Sequence, residues 1–367
     1  TRLGLGLESS EEGLWTVSVP SWRFDIAIEE DLVEELGRIY GYNHLPETIP
    51  TAMLKMKQVD EAQVQESDLR RVLTARGYQE AVTFSFIDPQ LHKQFDPQRE
   101  PVALANPIAS DLSVMRTTLL PGLVKTAAYN LNRQQTRVRL FETGLTFVKE
   151  SDKRGETLTQ ASMLAALITG DRYPEGWQIK SESVDFFDLK GDFEALLNLG
   201  QAADEFCFDK GSHPTMHPGQ CAQISRDGQV IGHMGAIHPS LAKPLAVPEA
   251  VYLVEVSLSE LTRGQVTSFE PLSKFPEVRR DLAFIVQQSV SAGHLEQVIR
   301  EEAGELLRDL RTFDVYSGKG VEESHKSLAI GLTLQHPSRT LRDDEVNPLI
   351  DRVLSRLEQE FNARLRQ

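Results

Sequence analysis

The sequence predicts an α+β, multidomain protein, and three observations predict it. The chain has 367 residues, enough for two or three domains of roughly 100–200 residues each. Helix-spaced and strand-spaced apolar stretches are mixed through residues 51–270, with no internal repeat and no low-complexity tract. The last block, 273–367, carries the order β-α-β-β-α-β followed by a short terminal segment, which is the order of a ferredoxin-like split βαβ unit.

Composition narrows the function classes. At 40% hydrophobic and 25% charged the chain has ordinary globular content. No window approaches the roughly 18 uncharged apolar residues that cross a bilayer, so no membrane role is expected. The opening Thr1-Arg2-Leu3-Gly4 leads into acidic residues and not into an apolar stretch, so it does not read as a signal peptide. Without an initiator Met it reads as part of a longer chain. Cys207 and Cys221 are the only cysteines, which excludes a disulfide-framed secreted scaffold and suits a reducing cytoplasm. With 39 basic and 54 acidic residues the net charge is −15. That opposes wrapping of nucleic acid by bulk counterion release and leaves room for a small base-reading site.

Each element has its own local reason. Leu14 to Val19 reads as a strand, and a helix begins near Ile28. Asp60 to Arg76 reads as a helix stopped by Gly77. Pro121 opens another at its favoured first position. Val138 to Val148 reads as a strand, and Asp185 to Asp192 as the entry to a helix over Phe193 to Leu199. Ala222 to Ile237 reads as a hairpin turning at Asp227-Gly228. In the last block the strands are Asp281 to Val286, Asp309 to Tyr316 and Ser327 to Gln335, with a helix over Leu295 to Leu306. Asp343 to Phe361 is a long amphipathic helix. Its Asp343-Asp344-Glu345 complements the positive end of the dipole, and Val346, Leu349, Ile350, Val353, Leu354 and Leu357 recur at core-facing spacing. This block holds 14 basic and 16 acidic residues, net −2, against −13 for the rest, which makes it the better candidate for an anionic partner.

Three constellations carry chemistry. Asp31, Glu34 and Glu35 stand at i, i+3 and i+4, on one helix face, and Asp25 precedes that helix. Clustered carboxylates repel unless a cation lies between them, and an all-oxygen set suits Mg²⁺ or Ca²⁺. An acidic first turn with a solvated face accounts for the same residues. Cys207, His213, His217 and Cys221 are all zinc-competent residue types. However, Pro214 and Pro218 prevent a continuous helix from presenting both histidines on one face, and no Cys-x2-Cys knuckle is present. On the strand Asp309 to Tyr316, alternation places Arg311, Phe313 and Val315 on one side and Thr312, Asp314 and Tyr316 on the other. An aromatic ring that stacks a base beside an acid that accepts from its edge is how single-stranded RNA is read on an open sheet. A strand-end tyrosine and a backbone-bonded aspartate are the plainer account. Arg279, Arg280, Lys319, Lys326, Arg339 and Arg342 stand near in sequence as phosphate contacts or as ordinary surface. No phosphate loop, nucleophile elbow, dinucleotide fingerprint or His-Glu-x-x-His helix is present, so no catalytic residue is expected.

The sequence resembles, over its whole length, the C-terminal half of the β chain of the bacterial phenylalanyl-tRNA synthetase family. The resemblance is carried by Pro20-Ser21-Trp22-Arg23-Phe24-Asp25 with Glu29-Glu30-Asp31-Leu32-Val33-Glu34-Glu35, and by Arg38-Ile39-Tyr40-Gly41-Tyr42. Further on it is carried by Met115-Arg116-Thr117-Thr118, Leu140-Phe141-Glu142-Thr143-Gly144, Phe275-Pro276-Glu277-Val278-Arg279-Arg280-Asp281 and Arg339-Thr340-Leu341. It implies an α2β2 enzyme whose α subunit binds ATP, phenylalanine and the tRNA end. Residues 1–48 would be the later part of a small helix-and-wing (partial winged-helix-like) domain. Residues 51–265 would be a class II synthetase-like domain with a mixed or antiparallel sheet, and 273–366 a ferredoxin-fold anticodon-binding domain. By motif position an Mg²⁺ site shared with α falls on Asp25, Asp31, Glu34 and Glu35. The contact with the tRNAPhe anticodon falls on Asp314 and Tyr316, with Arg280 and Lys326 as accompanying basic groups. Class II catalysis needs a Phe-Arg-x-Glu strand with Arg and Glu on the same face. Here Arg139 and Glu142 are three apart and face opposite ways, so the middle domain is expected to be inert. The family's editing domain lies upstream of Thr1, so hydrolysis of mischarged tRNA is not expected of this chain. Two other readings remain open on the residues alone: an Mg²⁺-dependent hydrolase using the carboxylate cluster, and a protein-interaction scaffold with no nucleic-acid role.

Overall fold

A computed structural model describes every residue except 1, 12, 54–59, 153, 154, 270 and 367; side chains within 150–156 are likewise outside the description. The expected entry to the central block, at residue 51 and beyond, runs into 54–59 and so lies partly outside the described residues. The chain divides into two compact units, Thr1–Gln58 and Val59–Gln367.

In the first unit, β1 (Gly6–Glu11) pairs antiparallel with β2 (Leu14–Ser18). The helix α1 (Glu29–Tyr40) opens with Glu29, Glu30 and Asp31, three carboxylates at the positive end of its dipole. The Asp31 carboxylate reaches back to accept from the backbone N–H groups of Ala27 (2.7 Å) and Ile28 (3.0 Å), occupying donors that a helix start leaves without partners. Gly41, at φ +95, ends the helix, and its N–H donates to the Gly37 carbonyl at 2.9 Å.

The second unit begins with α2 (Glu66–Ala75), β3 (Gln79–Glu80), β4 (Phe86–Ile87), α3 (Pro89–Phe95), β5 (Val114–Met115) and α4 (Leu120–Leu131). There follow β6 (Val138–Asp152), β7 (Gly155–Thr169), α5 (Phe186–Leu197), β8 (Phe206–Lys210), β9 (Met216–Arg226), β10 (Gln229–Ile237), α6 (Pro239–Ala242), β11 (Val251–Ser257) and α7 (Leu258–Thr262). The helix α2 is shorter than the sequence suggests. Residues 60–65 are engaged elsewhere: Gln63 bridges to Arg263 and the Val64 N–H donates to the Thr262 carbonyl at 2.9 Å, so the chain enters the helix only at Glu66. Among the described residues the main sheet has the order β3-β6-β7-β11-β10-β9-β8, antiparallel except for the β3–β6 pair. Both faces are covered, which is why β7 is apolar throughout Leu164–Ile168 and does not alternate with polar residues. Leu164, Ala166 and Ile168 pack with Phe141, Phe193 and Val254. Ala165 and Leu167 pack on the other face with Leu120, Leu123 and Leu253. The hairpin of β9 and β10 turns at Asp227 and Gly228, both at positive φ, as its two-residue loop requires.

The remaining elements are β12 (Val278–Gln287), α8 (Ala292–Ala303), β13 (Leu307–Tyr316), β14 (His325–Leu334), α9 (Asp343–Phe361) and β15 (Arg364–Leu365). The sheet order β13-β14-β12-β15 places the two helices on one face, over a core that includes Phe284, Leu295, Ile330, Leu349 and Val353. Each such fully buried side chain contributes roughly 1.5–3 kcal/mol. The helix α8 starts earlier than Leu295 because the Ser291 hydroxyl caps it, accepting from the His294 N–H at 3.2 Å. It gives way to a tighter turn at Gly304, which sits at φ +55. Among the described residues no helix packs on the other face of this sheet.

Candidate functional site

The helix-free face of the last sheet is set by its register. Across the strands, Asp314 stands opposite Ala329 and Ala283, Tyr316 opposite Ser327 and Ile285, and Arg311 opposite Gly331 and Asp281. Small side chains at 283, 329 and 331 leave a flat floor, rimmed by Asp314, Tyr316, Arg311 and Arg279. Arg279 donates to Asp281 at 2.8 Å and lies 5.8 Å from the Phe313 ring centroid, within cation–π range. Tyr316 is 37% exposed on this face, with the Arg366 guanidinium carbon 5.0 Å from its ring centroid.

Strict alternation assigned these faces wrongly in part. Thr312 pairs with Ile330 and Asp314 with the very next residue, Ala329, so Phe313 is an extra residue, a bulge that turns the strand over. Thr312 therefore faces the helices, where its hydroxyl donates to Glu296 at 2.7 Å. Asp314 and Tyr316 share the open face with Arg311. The same register sends Arg280, opposite Leu332, and Lys326, opposite Val286, toward the helix-covered side. Arg280 donates to Asp343 at 2.7 Å at the start of α9, and burial pushes the Lys326 ammonium below its ordinary pKa. One residue escaped sequence reasoning. Ser327, buried directly across from Tyr316, makes no side-chain hydrogen bond among the described residues; only the pairing register reveals its place.

In the first unit, the expected carboxylates are not gathered around an empty centre. Arg23 donates to Asp25 at 2.7 Å and lies 3.1 Å from Glu35. Arg38 takes the other Glu35 oxygen at 2.8 Å. These guanidinium contacts hold Asp25 and Glu35 below the usual carboxylate range, and the backbone donors of Ala27 and Ile28 do the same for Asp31. Glu34 lines an apolar groove with Val33, Gly37, Tyr40 and Leu45. The donor chemistry suits a hard divalent cation. Within this chain, however, a guanidinium takes the position of counter-charge, and no group of three or more metal-competent side chains is gathered among the described residues.

On the main sheet, Arg139 and Glu142 do face opposite ways. Arg139 donates to Asp192 at 2.6 Å on the face covered by α5. Glu142 accepts from Arg116 at 2.7 Å and from the Thr83 hydroxyl at 2.8 Å on the other. Both are consumed by internal pairs. The four zinc-competent residues do not gather into a metal-holding group among the described residues: Cys207 is exposed and Cys221 buried. The His213 ring packs against His233 with centroids 5.0 Å apart, and the His217 ring accepts from the Gly219 N–H at 3.0 Å.

These features define a mixed α/β multidomain protein that ends in a ferredoxin-fold anticodon-binding domain. The model of that domain matches residues 273–366. The tRNA synthetase B5 domain matches 1–42, and the phenylalanyl-tRNA synthetase β chain CLM domain matches 45–258. The chain belongs to the phenylalanyl-tRNA synthetase β-chain family. Curated relatives named phenylalanine–tRNA ligase β subunit are 54% identical over 367 residues in Pseudomonas fluorescens, 53% over 365 in Pseudomonas putida and 47% over 365 in Shewanella oneidensis. Each alignment covers all of this chain and 46% of the relative, so the chain spans about half the length of the curated relatives it matches.

Proposed function

We propose that the chain is the non-catalytic β portion of a phenylalanine–tRNA ligase, supporting an α subunit and binding the tRNAPhe anticodon while the complex charges tRNA with phenylalanine. The single observation that carries this is the open face of the last sheet, with Tyr316, Ser327 and Asp314 clustered over a floor of Ala283, Ala329 and Gly331. The phenol ring offers a stacking surface, and Asp314 accepts from a base edge. Arg279 and Arg311 are the basic groups on this face, whereas Arg280 and Lys326, expected beside the contact, stand on the helix-covered side of the same sheet. In this reading the assembly is an α2β2 tetramer working in the cytoplasm, and ATP is bound and used in α. No described helix is long and apolar enough to cross a membrane.

The domain assignments follow the same reading: a helix-and-wing remnant at 1–48, an inert class II synthetase-like domain at 51–265 and the anticodon-binding domain at 273–366. The internal pairing of Arg139 and Glu142 supports inertness, since neither is free to grip a nucleotide. Mg²⁺ would be held by Asp25, Asp31, Glu34 and Glu35 together with donors from α, with Arg23 giving way, and would supply positive charge between the two chains. A hydrolase built on this cluster is opposed by the guanidinium groups that already neutralise it.

The test is tRNAPhe binding by the assembled α–β complex. Tyr316→Ala is expected to weaken it by about 1–3 kcal/mol through lost base stacking; unchanged affinity would reject the assignment. The chain without α is expected to give no phenylalanine-dependent ATP–pyrophosphate exchange, and clear exchange would overturn its inertness.

A further inference from the structure

The stacking face of Tyr316 is already taken. Arg366, just beyond β15, places its guanidinium carbon 5.0 Å from the centroid of the Tyr316 ring. The phenol hydroxyl donates to the Lys319 carbonyl at 3.3 Å. A stacked aromatic partner sits at about 4.5–7 Å between centroids, the volume the guanidinium now fills. No base reaches the ring unless Arg366 lifts. Its backbone is anchored, because β15 pairs with β12 at Arg364 and Leu365 and the Arg366 N–H donates to the Ala283 carbonyl at 2.8 Å. The side chain is exposed and makes no ion pair among the described residues, so it is free to swing. Below it, Ala283 and Ala329 lead straight across the sheet to Asp314, with no side chain tall enough to block a planar ligand.

We propose that Arg366 is a nucleobase-contacting residue of this face. It covers Tyr316 when no RNA is bound, lifts as a base enters, and closes on the outer side of that base, which is then held between phenol ring and guanidinium. The proposal rests on the reading of this face as an RNA site. A guanidinium is planar, delocalised and weakly hydrated, so it stacks on a base as it does on a phenol. The exchange therefore trades one cation–π contact for another and adds the stack of base on ring. A lysine ammonium, a compact hydrated charge, lacks the plane.

The experiment measures tRNAPhe transcript binding by the full α–β complex over a series of salt concentrations. It compares Arg366→Ala, Arg366→Lys, Tyr316→Ala and the double alanine variant with wild type. The expected result is about fivefold weaker binding for Arg366→Ala, little recovery by Arg366→Lys despite a retained salt slope, and no further loss when Arg366→Ala is added to Tyr316→Ala. Full recovery by Arg366→Lys, or an equal loss in both Tyr316 backgrounds, makes Arg366 a phosphate contact and overturns the sandwich. Unchanged or tighter binding by Arg366→Ala overturns it as well. Wild-type affinity for Tyr316→Ala rejects the face itself, whereas a loss for Tyr316→Ala with none for Arg366→Ala rejects only the role of Arg366.

Discussion

Arg139 and Asp192 lie 53 residues apart and meet at 2.6 Å with side chains only 7% and 10% exposed. The Asp192 carboxylate also accepts from Arg76 and from the Tyr78 hydroxyl, each at 2.8 Å. One carboxylate thus fastens α5 to β6 and to the end of α2. Asp192→Ala leaves a buried guanidinium and a buried phenol without their acceptor, and is expected to cost about 3–5 kcal/mol. Arg139→Met with Asp192→Leu and Tyr78→Phe is expected to recover most of it, because no buried polar group is then stranded. Urea unfolding midpoints decide the matter; equal losses for the single and triple variants would show that packing alone sets the cost.

Burial, and then the neighbouring His233, push the His213 imidazole down to about 4. Asp96 pulls the other way and Arg99 reinforces the fall. An unfolded histidine titrates near 6.5, so between pH 6.5 and 4 the unfolded chain binds the extra proton, and stability drops as pH falls through that window. Above pH 6.5 this contribution is fully present. The difference in stability between wild type and His213→Gln is expected to shrink by about 2–3 kcal/mol from pH 7 to pH 4. A difference that does not change with pH would show the ring to be protonated equally in both states.

Arg23 supplies the positive charge that Asp25 and Glu35 share. In the chain without α, Mg²⁺ is therefore expected to leave the unfolding temperature of wild type unchanged and to raise that of Arg23→Met, where the carboxylates are left to repel one another. Differential scanning fluorimetry with and without the cation, and again after chelation, checks this. A wild-type response matching that of the variant would show that Mg²⁺ binds alongside the guanidinium.

Ala329 lies in the middle of the open sheet face, between Asp314 and Ala283. Ala329→Glu is expected to change stability by no more than about 0.5–1 kcal/mol and to weaken tRNAPhe binding by the α–β complex at least tenfold, through bulk and like-charge repulsion with phosphate. Retained affinity would move the RNA contact to another surface.

Local signals were the legible ones. The bounds of α9 can be read directly, because Asp343-Asp344-Glu345 marks its start and the apolar spacing from Val346 to Leu357 marks its buried face. The β9–β10 turn is equally plain in Asp227-Gly228. Pairings between distant residues carry no such mark, so the grip of Asp192 on Arg139 and the place of Ser327 across from Tyr316 appear only in the folded chain. The carboxylate spacing was visible on α1, and Arg23 stands in the very motif that carried the family resemblance. Its position among those acids depends on how the segment before the helix folds back, which spacing does not encode.

The extra residue at Phe313 has an evolutionary reach beyond its local twist. It divides the duties of β13: Leu310 and Thr312 before the bulge answer to the helices packed behind them, while Asp314 and Tyr316 after it face whatever lands in front. Ligand preference can drift through the outer half without reopening the fit of the inner half, so the strand tolerates selection for recognition that a regular, unbroken ladder would pass on to the hydrophobic interior.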